Sequence, residues 1–534
     1  MTTPRRADWL GAVLLASVFA ALLVLPQLGR HVIAYSGEAR MALLAQDMID
    51  RHVLFHARVE GQLYRNKPPL FPWSIALFSL PAGRVTVASA QLPTALSAIA
   101  LVALTSLLGV WLFGPRAGLW AGLVLATGAA FFSISQQILP DMLMAAWSMA
   151  AVALFWKAFN APGRCTLVLC YAALGLAVFS KGPVGLLPLL SGAVWLVTER
   201  GWRSLARLAN PAGLAVFALI NLAWVAPFVS AGSQTFGQTV LWGDWGSRYL
   251  GELPNPRRVA QFFLDLAIGS LPWTPFVALG AARAFRARGD SAARYALLSA
   301  LVPLLVIIFS SNRQPVYLLI VYPPAALLAA WWADAAGREP PRFLRRLAWL
   351  APVGVLAAFA IVPLVPDVRT SGLLELPGIA WKAGLVAIAA FLLGCVFWRA
   401  VSRGRPALLI YGGVALTALL LTSGLALSEA AMRRTQDFRA VAAALTRHAS
   451  GADVRLFSAS LLLPVDFYIG RQLDRMTSFQ DFYEFLERAE RPVVLMDQRL
   501  WQDFSPFFPP DVQLVQRIRM QGQDLFIVRA APQR

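Results

Sequence analysis

The sequence predicts a mainly α-helical, polytopic membrane protein of about thirteen transmembrane helices with a small C-terminal α/β domain, and three observations predict it. Hydrophobic residues fill 58% of the 534 positions and charged residues only 14%, where soluble proteins carry about 25% charged residues. The apolar residues gather in windows long enough to cross a hydrocarbon core, which takes about 20 residues of helix. After residue 428 the windows stop and short segments of mixed composition follow.

The windows fall near 9–28, 88–112, 117–136, 141–157, 165–181, 183–198, 209–230, 258–282, 293–311, 315–334, 346–365, 378–398 and 406–428. Arg5 and Arg6 precede the first. With no small-x-small cleavage site before Pro26, that window is expected to be an uncleaved anchor. The apolar piece 70–82 is short, follows Pro68-Pro69 and is interrupted by Pro72 and Pro81, so a re-entrant or interfacial segment is expected there.

The net charge of +19 would suit nucleic acid or an anionic surface, and the placement of the 47 basic residues decides between partners and topology. Most lie in short loops between apolar windows, so they are topology signals and no nucleic-acid partner is expected. With a cytoplasmic N-terminus, the cytoplasmic loops and their edges hold Arg116, Lys157, Arg164, Arg200, Arg203, Arg207, Arg283, Arg286, Arg338, Arg342, Arg399 and Arg403, while the short loops opposite are nearly bare. The polar segments then share the non-cytoplasmic face: loop 29–87, the Leu139-Pro140-Asp141 corner, Ser180-Lys181-Gly182-Pro183, the Trp-rich loop 231–257 and Ser310-Ser311-Asn312-Arg313. The three cysteines, Cys165, Cys170 and Cys395, form no metal-ligand or disulfide pattern.

Residues 429–534 form the expected periplasmic α/β domain, set apart from the membrane domain 1–428. Helices are expected at 436–449 and 479–489, and strands at Val454–Phe457, Pro492–Met496, Val512–Ile518 and Asp524–Val528. The domain carries no Gly-rich phosphate loop and no nucleophile motif.

The stretch from Tyr35 to Trp73 is polar where its surroundings are apolar. Met41, Leu44, Ala45 and Met48 recur at helical spacing within 38–51, with Arg40, Asp47 and Arg51 elsewhere on the wheel, which predicts a helix lying on the membrane surface. Glu38 falls in its first turn, where a carboxylate either does chemistry or merely complements the helix dipole. Lys67 precedes two prolines that hold its backbone extended, so it can face an anionic group or snorkel to headgroups. Asp141 after Pro140 is either a catalytic carboxylate or a helix cap, and Lys181 before Gly182-Pro183 also fits an ordinary helix end. Trp242, Trp245 and Tyr249 would fit an aromatic belt, with Arg248 the more informative residue among them. What favours chemistry is convergence: Glu38, Asp141, Lys67, Lys181, Arg248, Arg313, Tyr64 and Tyr317 all fall on one face.

Gly37-Glu38-Ala39-Arg40, Asn66-Lys67-Pro68-Pro69-Leu70, Gln91-Leu92-Pro93-Thr94-Ala95-Leu96, Leu139-Pro140-Asp141, Lys181-Gly182-Pro183 and Ser310 to Tyr317 together resemble the bacterial GT-C glycosyltransferases. These are related to the lipid A aminoarabinose transferase and the dolichyl-phosphate-mannose protein mannosyltransferases. The resemblance implies a multi-pass enzyme of the bacterial inner membrane that takes a sugar from a polyprenyl-phosphate carrier at the periplasmic face. It would pass that sugar, with inversion, to an envelope acceptor, a lipid A-like glycolipid being favoured. It also implies Glu38 and Asp141 as catalytic carboxylates and Tyr64, Arg40, Lys67, Lys181, Arg248, Arg313 and Tyr317 as substrate-binding residues. Where the family's first loop carries an Asp-Glu pair this chain has Gly37-Glu38, so Asp141 is expected to matter more than Glu38. Asn66 stands where the aminoarabinose transferases often carry an acidic residue, so neither a metal nor another cofactor is expected.

Two other readings compete. A protein acceptor would make the enzyme mannosyltransferase-like, and acceptor contacts in variable loops leave that open. A lipid or sugar transporter would need ionisable residues near the midplane, and Asp265 is the main one within the windows. The loop charges put residues 45–60 and the C-terminal domain outside the cytoplasm. A single cysteine placed at Gln523 should therefore react with an impermeant thiol reagent in intact spheroplasts, and reaction only after lysis would overturn the thirteen-span count.

Overall fold

The computed structural model describes residues 6–64, 67–161, 163, 165–230, 255–287, 289–310, 314–336, 350–361, 379–448, 453–458, 462–476, 478–520 and 522–530. The first helix, α1 (Arg6–Val24), shows how the bundle treats apolar side chains. Leu10, Leu14, Val18 and Leu22, four residues apart, are exposed, while Ala12, Ala16 and Ala20 on the opposite stripe are buried. A membrane bundle inverts the soluble pattern in this way, since lipid is as apolar as leucine and only small residues let helix backbones approach. Helix Ile379–Ser402 repeats it, with Trp381, Leu385, Ile388 and Leu392 outward and Ala390 and Gly394 inward.

The elements that frame the site come in the first two-thirds of the chain. Helix α2 (Ser36–Asp50) follows the first loop, and a short hairpin, β1 (Arg58–Val59) with β2 (Gln62–Leu63), turns through Glu60 and Gly61, both at positive φ. Helix α3 (Leu70–Ser79) begins after Pro69 and accounts for the segment 70–82. A Thr86–Ser89 capping box opens the long α4 (Val87–Phe113). Gly114 at φ +98° turns the chain straight into α5 (Pro115–Ala126), which bends by 64° into α6 (Ala129–Ser135). Helices α7 (Asp141–Asn160), α8 (Thr166–Lys181) and α9 (Leu187–Arg200) then cross the bundle in turn.

Among the described residues, six helices, including α1, α4 and α7, are long and apolar enough to span a membrane alone, or up to nine if each bent pair counts as one span, the shorter apolar helices such as α8 not included. Two expectations need correction. Window 258–282 is not one straight span: Pro256–Gly269 and Thr274–Arg286 meet at 110°, because Pro272 and Pro275 interrupt the helix and the first half carries Arg257, Arg258, Gln261 and Asp265. Nor does α2 lie on a surface with one apolar face. Ala39, Met41, Ala42, Leu43, Leu44 and Ala45 are all buried in a cluster that includes Phe71 and Ile75 of α3 and Leu463 from the C-terminal region, which covers the helix from a second side.

The last long helix, Pro406–Thr435, runs without a break past residue 428 and delivers the chain to a five-stranded mixed sheet. Its strand order is β4-β3-β5-β7-β6, with β3 (Asp453–Phe457), β4 (Asp474–Met476), β5 (Pro492–Asp497), β6 (Val512–Met520) and β7 (Gln523–Ala530). β3 pairs parallel with β4 and β5, and β7 pairs antiparallel with β5 and β6. Central β5 is buried throughout, and its side chains alternate as strand geometry requires. Val493 and Leu495 face Val441 and Leu445 of helix Arg439–His448, whereas Val494 and Met496 face Phe482 and Phe485 of helix Phe479–Arg488.

Close helix contact depends on glycine in the N-terminal bundle. A Cβ on Gly118 of α5 would sit 2.5 Å from Val110 Cγ2 and 2.6 Å from the Ser106 carbonyl oxygen of α4, and one on Gly122 would meet Ala16 of α1 at 2.7 Å. Gly118→Val is expected to force α4 and α5 apart and to cost about 3 kcal/mol, the upper range for overpacking, read as a lowered unfolding midpoint of the detergent-purified protein.

Candidate active site

Asp141 and Lys181 are 40 residues apart in sequence and meet at the same end of the bundle. Pro140 ends the preceding loop and Asp141 opens α7, so its carboxylate sits on the positive end of the helix dipole. α8 ends at Lys181 because Gly182 leaves the helix at φ +99° and Pro183 follows. Lys181 Nζ is ion-paired with Asp141 Oδ1, and the ammonium lies 4.3 Å from the ring centroid of Tyr317. Tyr317 belongs to the 3₁₀ turn Pro315–Ile320. Asp141 is 3% exposed, and a charge so buried is tolerated when paired.

Beside this pair is a second network whose members the sequence did not single out, apart from Glu38. His31 is buried in the loop after α1, its Nε2 2.9 Å from Glu38 Oε1 and 3.1 Å from Oε2, its Nδ1 2.8 Å from Glu429 Oε1. Ionised carboxylates only accept, so a ring that bonds to one on each side donates from both nitrogens and is an imidazolium. Burial by itself would lower the His31 pKa, but the hydrogen bonds and negative charges of Glu38 and Glu429 outweigh it and raise it to about 10. The Ile138 N–H donates to Glu38 Oε1 at 3.0 Å, and the Val32 N–H donates to Glu429 Oε2 at 3.1 Å. Gln91 adds a parallel tie: its Oε1 accepts from the Gly29 N–H at 2.8 Å and its Nε2 donates to the Gln136 carbonyl at 2.7 Å. Loop 136–140 is thereby held to the first loop twice, immediately before Asp141.

The C-terminal sheet closes over the same loop. The Ile33 N–H donates to the Tyr468 hydroxyl at 2.9 Å, the Glu60 N–H to Gln472 Oε1 at 2.7 Å, and Gln472 Nε2 to the Arg58 carbonyl at 3.0 Å. Arg475 lies 2.6 Å from Glu60 and 3.6 Å from fully buried Asp466, whose pKa burial raises to about 7 against the pull of Arg475 and the Leu473 N–H. The adjacent groove of about 400 Å³ is lined by Arg455, Arg475 and Arg488 among others. These are engaged locally, Arg455 over the Phe485 ring and Arg488 with Glu484.

The remaining candidates divide. Lys67 is half-buried and directly precedes buried Pro68 and Pro69. The α3 helix that follows packs Trp73 edge-on against Phe179, ring centroids 5.3 Å apart, two residues before Lys181. Lys67 therefore starts an element that touches the end of α8. Tyr64 packs at the margin of the α2–α3 core, and Arg40 is half-buried on α2. Arg248 and Arg313 lie outside the described residues. His31 was missed because a lone histidine in a loop has no spacing signal, although it is one of only four in the chain. Glu429, a carboxylate at the end of the last apolar window, was the legible hint.

Unfolded histidine titrates near 6.5, so the raised pKa gives His31 a stabilising contribution that is fully present below that value and lost as pH rises through about 10. The unfolding midpoint in detergent should fall between about pH 6.5 and 10 in the parent and level off above that. His31→Gln should flatten that fall; an unchanged slope would show that the ring is not the titrating group.

The dolichyl-phosphate-mannose-protein mannosyltransferase family model matches residues 16–235. An undecaprenyl phosphate-α-4-amino-4-deoxy-L-arabinose arabinosyl transferase of Sodalis glossinidius is 29% identical over 74% of this chain and 71% of its own. A second from the same organism is 28% identical over 51% of this chain, an alignment that spans about half (49%) of that relative's length. The crystal structure of ArnT from Cupriavidus metallidurans bound to undecaprenyl phosphate superposes with a TM-score of 0.80 at 19% identity, covering 98% of this chain and 99% of that one. In sequence the chain is similar to the aminoarabinose transferases and, over residues 16–235, to the protein mannosyltransferases, and in fold it is similar to ArnT.

Proposed function

We propose that this protein is an inverting glycosyltransferase of the bacterial inner membrane, moving a sugar from a polyprenyl-phosphate carrier to a lipid A-like acceptor at the periplasmic face. The observation that carries the reading is the Asp141–Lys181–Tyr317 constellation at the end of an aminoarabinose-transferase-like bundle. The opposite end supports the orientation: Arg116 pairs with Asp334 and Arg294 with Glu199, in the region whose loops carry the basic excess. Thirteen crossings, with the shorter pieces such as α8 and α9 each counted as one, bring the sheet to the side of Asp141.

In this reaction the acceptor oxygen attacks the anomeric carbon from the face opposite the carrier, and the bond from that carbon to the phosphate oxygen breaks with its electron pair on the phosphate. The phosphate passes from a diester to a monoester and gains negative charge, while the acceptor hydroxyl loses its proton. Asp141 is assigned as the proton acceptor, with Lys181 holding its charge and Tyr317 bracing the ammonium. Lys67, held by Pro68-Pro69 ahead of α3, is assigned to the leaving phosphate together with Arg248 and Arg313, and Tyr64 and Arg40 are assigned to substrate binding with it. A cation fixed there acts on charge that develops only in the transition state. A protein hydroxyl as acceptor is the second reading, favoured by the mannosyltransferase match over 16–235.

Purified protein given radiolabelled polyprenyl-phosphate sugars and extracted envelope lipids should move label to a glycolipid. Label on protein alone would select the second reading, and substrate crossing sealed vesicles without bond cleavage would sink the enzyme. Asp141→Asn and Lys67→Ala should each lose about 10²–10³ in rate, as expected when a fixed transition-state partner is removed. Lys67→Arg should keep part of the rate, because a planar fork replaces a compact charge imperfectly. Near-parental turnover in Lys67→Ala would remove that residue from the site.

A further inference from the structure

Glu38 and Asp141 are both buried carboxylates at the same face, and the residues around them give them different work. Asp141 faces the ammonium of Lys181, a compact charge at the end of a flexible stem. Glu38 faces groups that cannot leave. Its Oε1 takes the Ile138 N–H at 3.0 Å and the His31 Nε2–H at 2.9 Å, and its Oε2 lies 3.1 Å from the same ring nitrogen. The ring is fixed from behind by Glu429, on the helix that leads into the C-terminal sheet, and its loop by the Tyr468 hydroxyl.

We infer that Glu38 is a positioning residue and not the proton acceptor: with His31 and Glu429 it forms a clamp that fixes Ile138, and so sets Asp141 against Lys181. The inference rests on the glycosyl-transfer reading for its kinetic arm only. The corner is short. Ile138 is tied through its amide, Leu139 and Pro140 follow, and Asp141 is already helix, with the Met144 N–H donating to the Pro140 carbonyl at 3.0 Å. A shift at the Ile138 amide must therefore move the first turn of α7. Gln91 holds the Gln136 carbonyl of the same loop, so the corner is pinned at two points and the clamp supplies the one nearer Asp141. The clamp also joins the first loop, loop 136–140, the end of the last long helix and, through Tyr468, the C-terminal sheet, so docking of the sheet and alignment of the carboxylate are a single event.

The amide in Glu38→Gln can do what the clamp needs and cannot do what a base needs. Its oxygen accepts from Ile138, and its NH₂ donates to a neutral His31 whose remaining proton stays on Nδ1, facing Glu429. A base replaced by an amide loses about 10²–10⁴ in rate; a clamp so replaced should stay within about fivefold, since every hydrogen bond keeps a partner. Glu38→Ala removes the acceptor altogether. It is expected to lower kcat by about thirtyfold or more while KM for the donor stays within about twofold, the split of a residue that acts only in the transition state. Hydrogen exchange of the 136–141 backbone should quicken by about tenfold in Glu38→Ala, remain parental in Glu38→Gln, and remain parental in inactive Asp141→Asn, since exchange reports local opening. Glu38→Gln as inactive as Asp141→Asn would make Glu38 the base and overturn the inference; so would Glu38→Ala with parental exchange and turnover. If Glu38→Ala does not fold, the comparison of Glu38→Gln with Asp141→Asn decides alone. A parent that transfers no label would sink the functional reading, and the exchange arm would still test the clamp.

Discussion

A buried charge must be paired, and at His31 that requirement organises the whole membrane face. The imidazolium is 7% exposed and holds a carboxylate on each ring nitrogen. Removing one partner from such a site usually costs about 3–5 kcal/mol, because the other charge is left buried and uncompensated. The three residues come from the loop after α1, the first turn of α2 and the end of the last long helix, separated by up to 398 positions. None of these segments can take its place without the other two.

The two carboxylate sites are both made at helix ends, and this follows from what a membrane permits. In the hydrocarbon region each backbone polar group is satisfied within its own helix, and small residues such as Gly118 and Ala16 face the neighbouring helices there. Polar chemistry is left for the termini, where unpaired amides and the helix dipole favour carboxylates and the C-terminal dipole favours cations. Asp141 at the start of α7 and Lys181 at the end of α8 are each well placed singly, and their pairing joins the two helices at the site.

The C-terminal sheet belongs to this face as much as the helices do. Arg475 reaches Glu60 at the tip of the β1–β2 hairpin, Gln472 bonds both to Glu60 and to Arg58, and Tyr468 holds Ile33. Leu463 completes the core around α2. These contacts explain why α2 is buried on more sides than its heptad-like spacing suggested: the spacing records the face turned to the bundle, and the second cover comes from residues more than four hundred positions away.

By itself the sequence determined the long apolar spans, the asymmetry of basic loops, and the unbroken apolar run Val493–Met496 that becomes the central strand β5, because each depends on local composition and periodicity. The helix-end signals at Asp141 and at Lys181-Gly182-Pro183 were legible for the same reason, and the order of motifs carried the resemblance. Only the tertiary structure decided which polar residues meet. His31 has no spacing partner, Glu429 looks like the end of a span, and Gln91 is one amide in a long helix; each acquires a role from a partner distant in sequence. The bend between Gly269 and Thr274 and the second cover over α2 were hidden likewise. Periodicity reports how one element faces its surroundings, whereas the pairing of buried polar groups depends on which ends of which helices the packed bundle brings within hydrogen-bond reach.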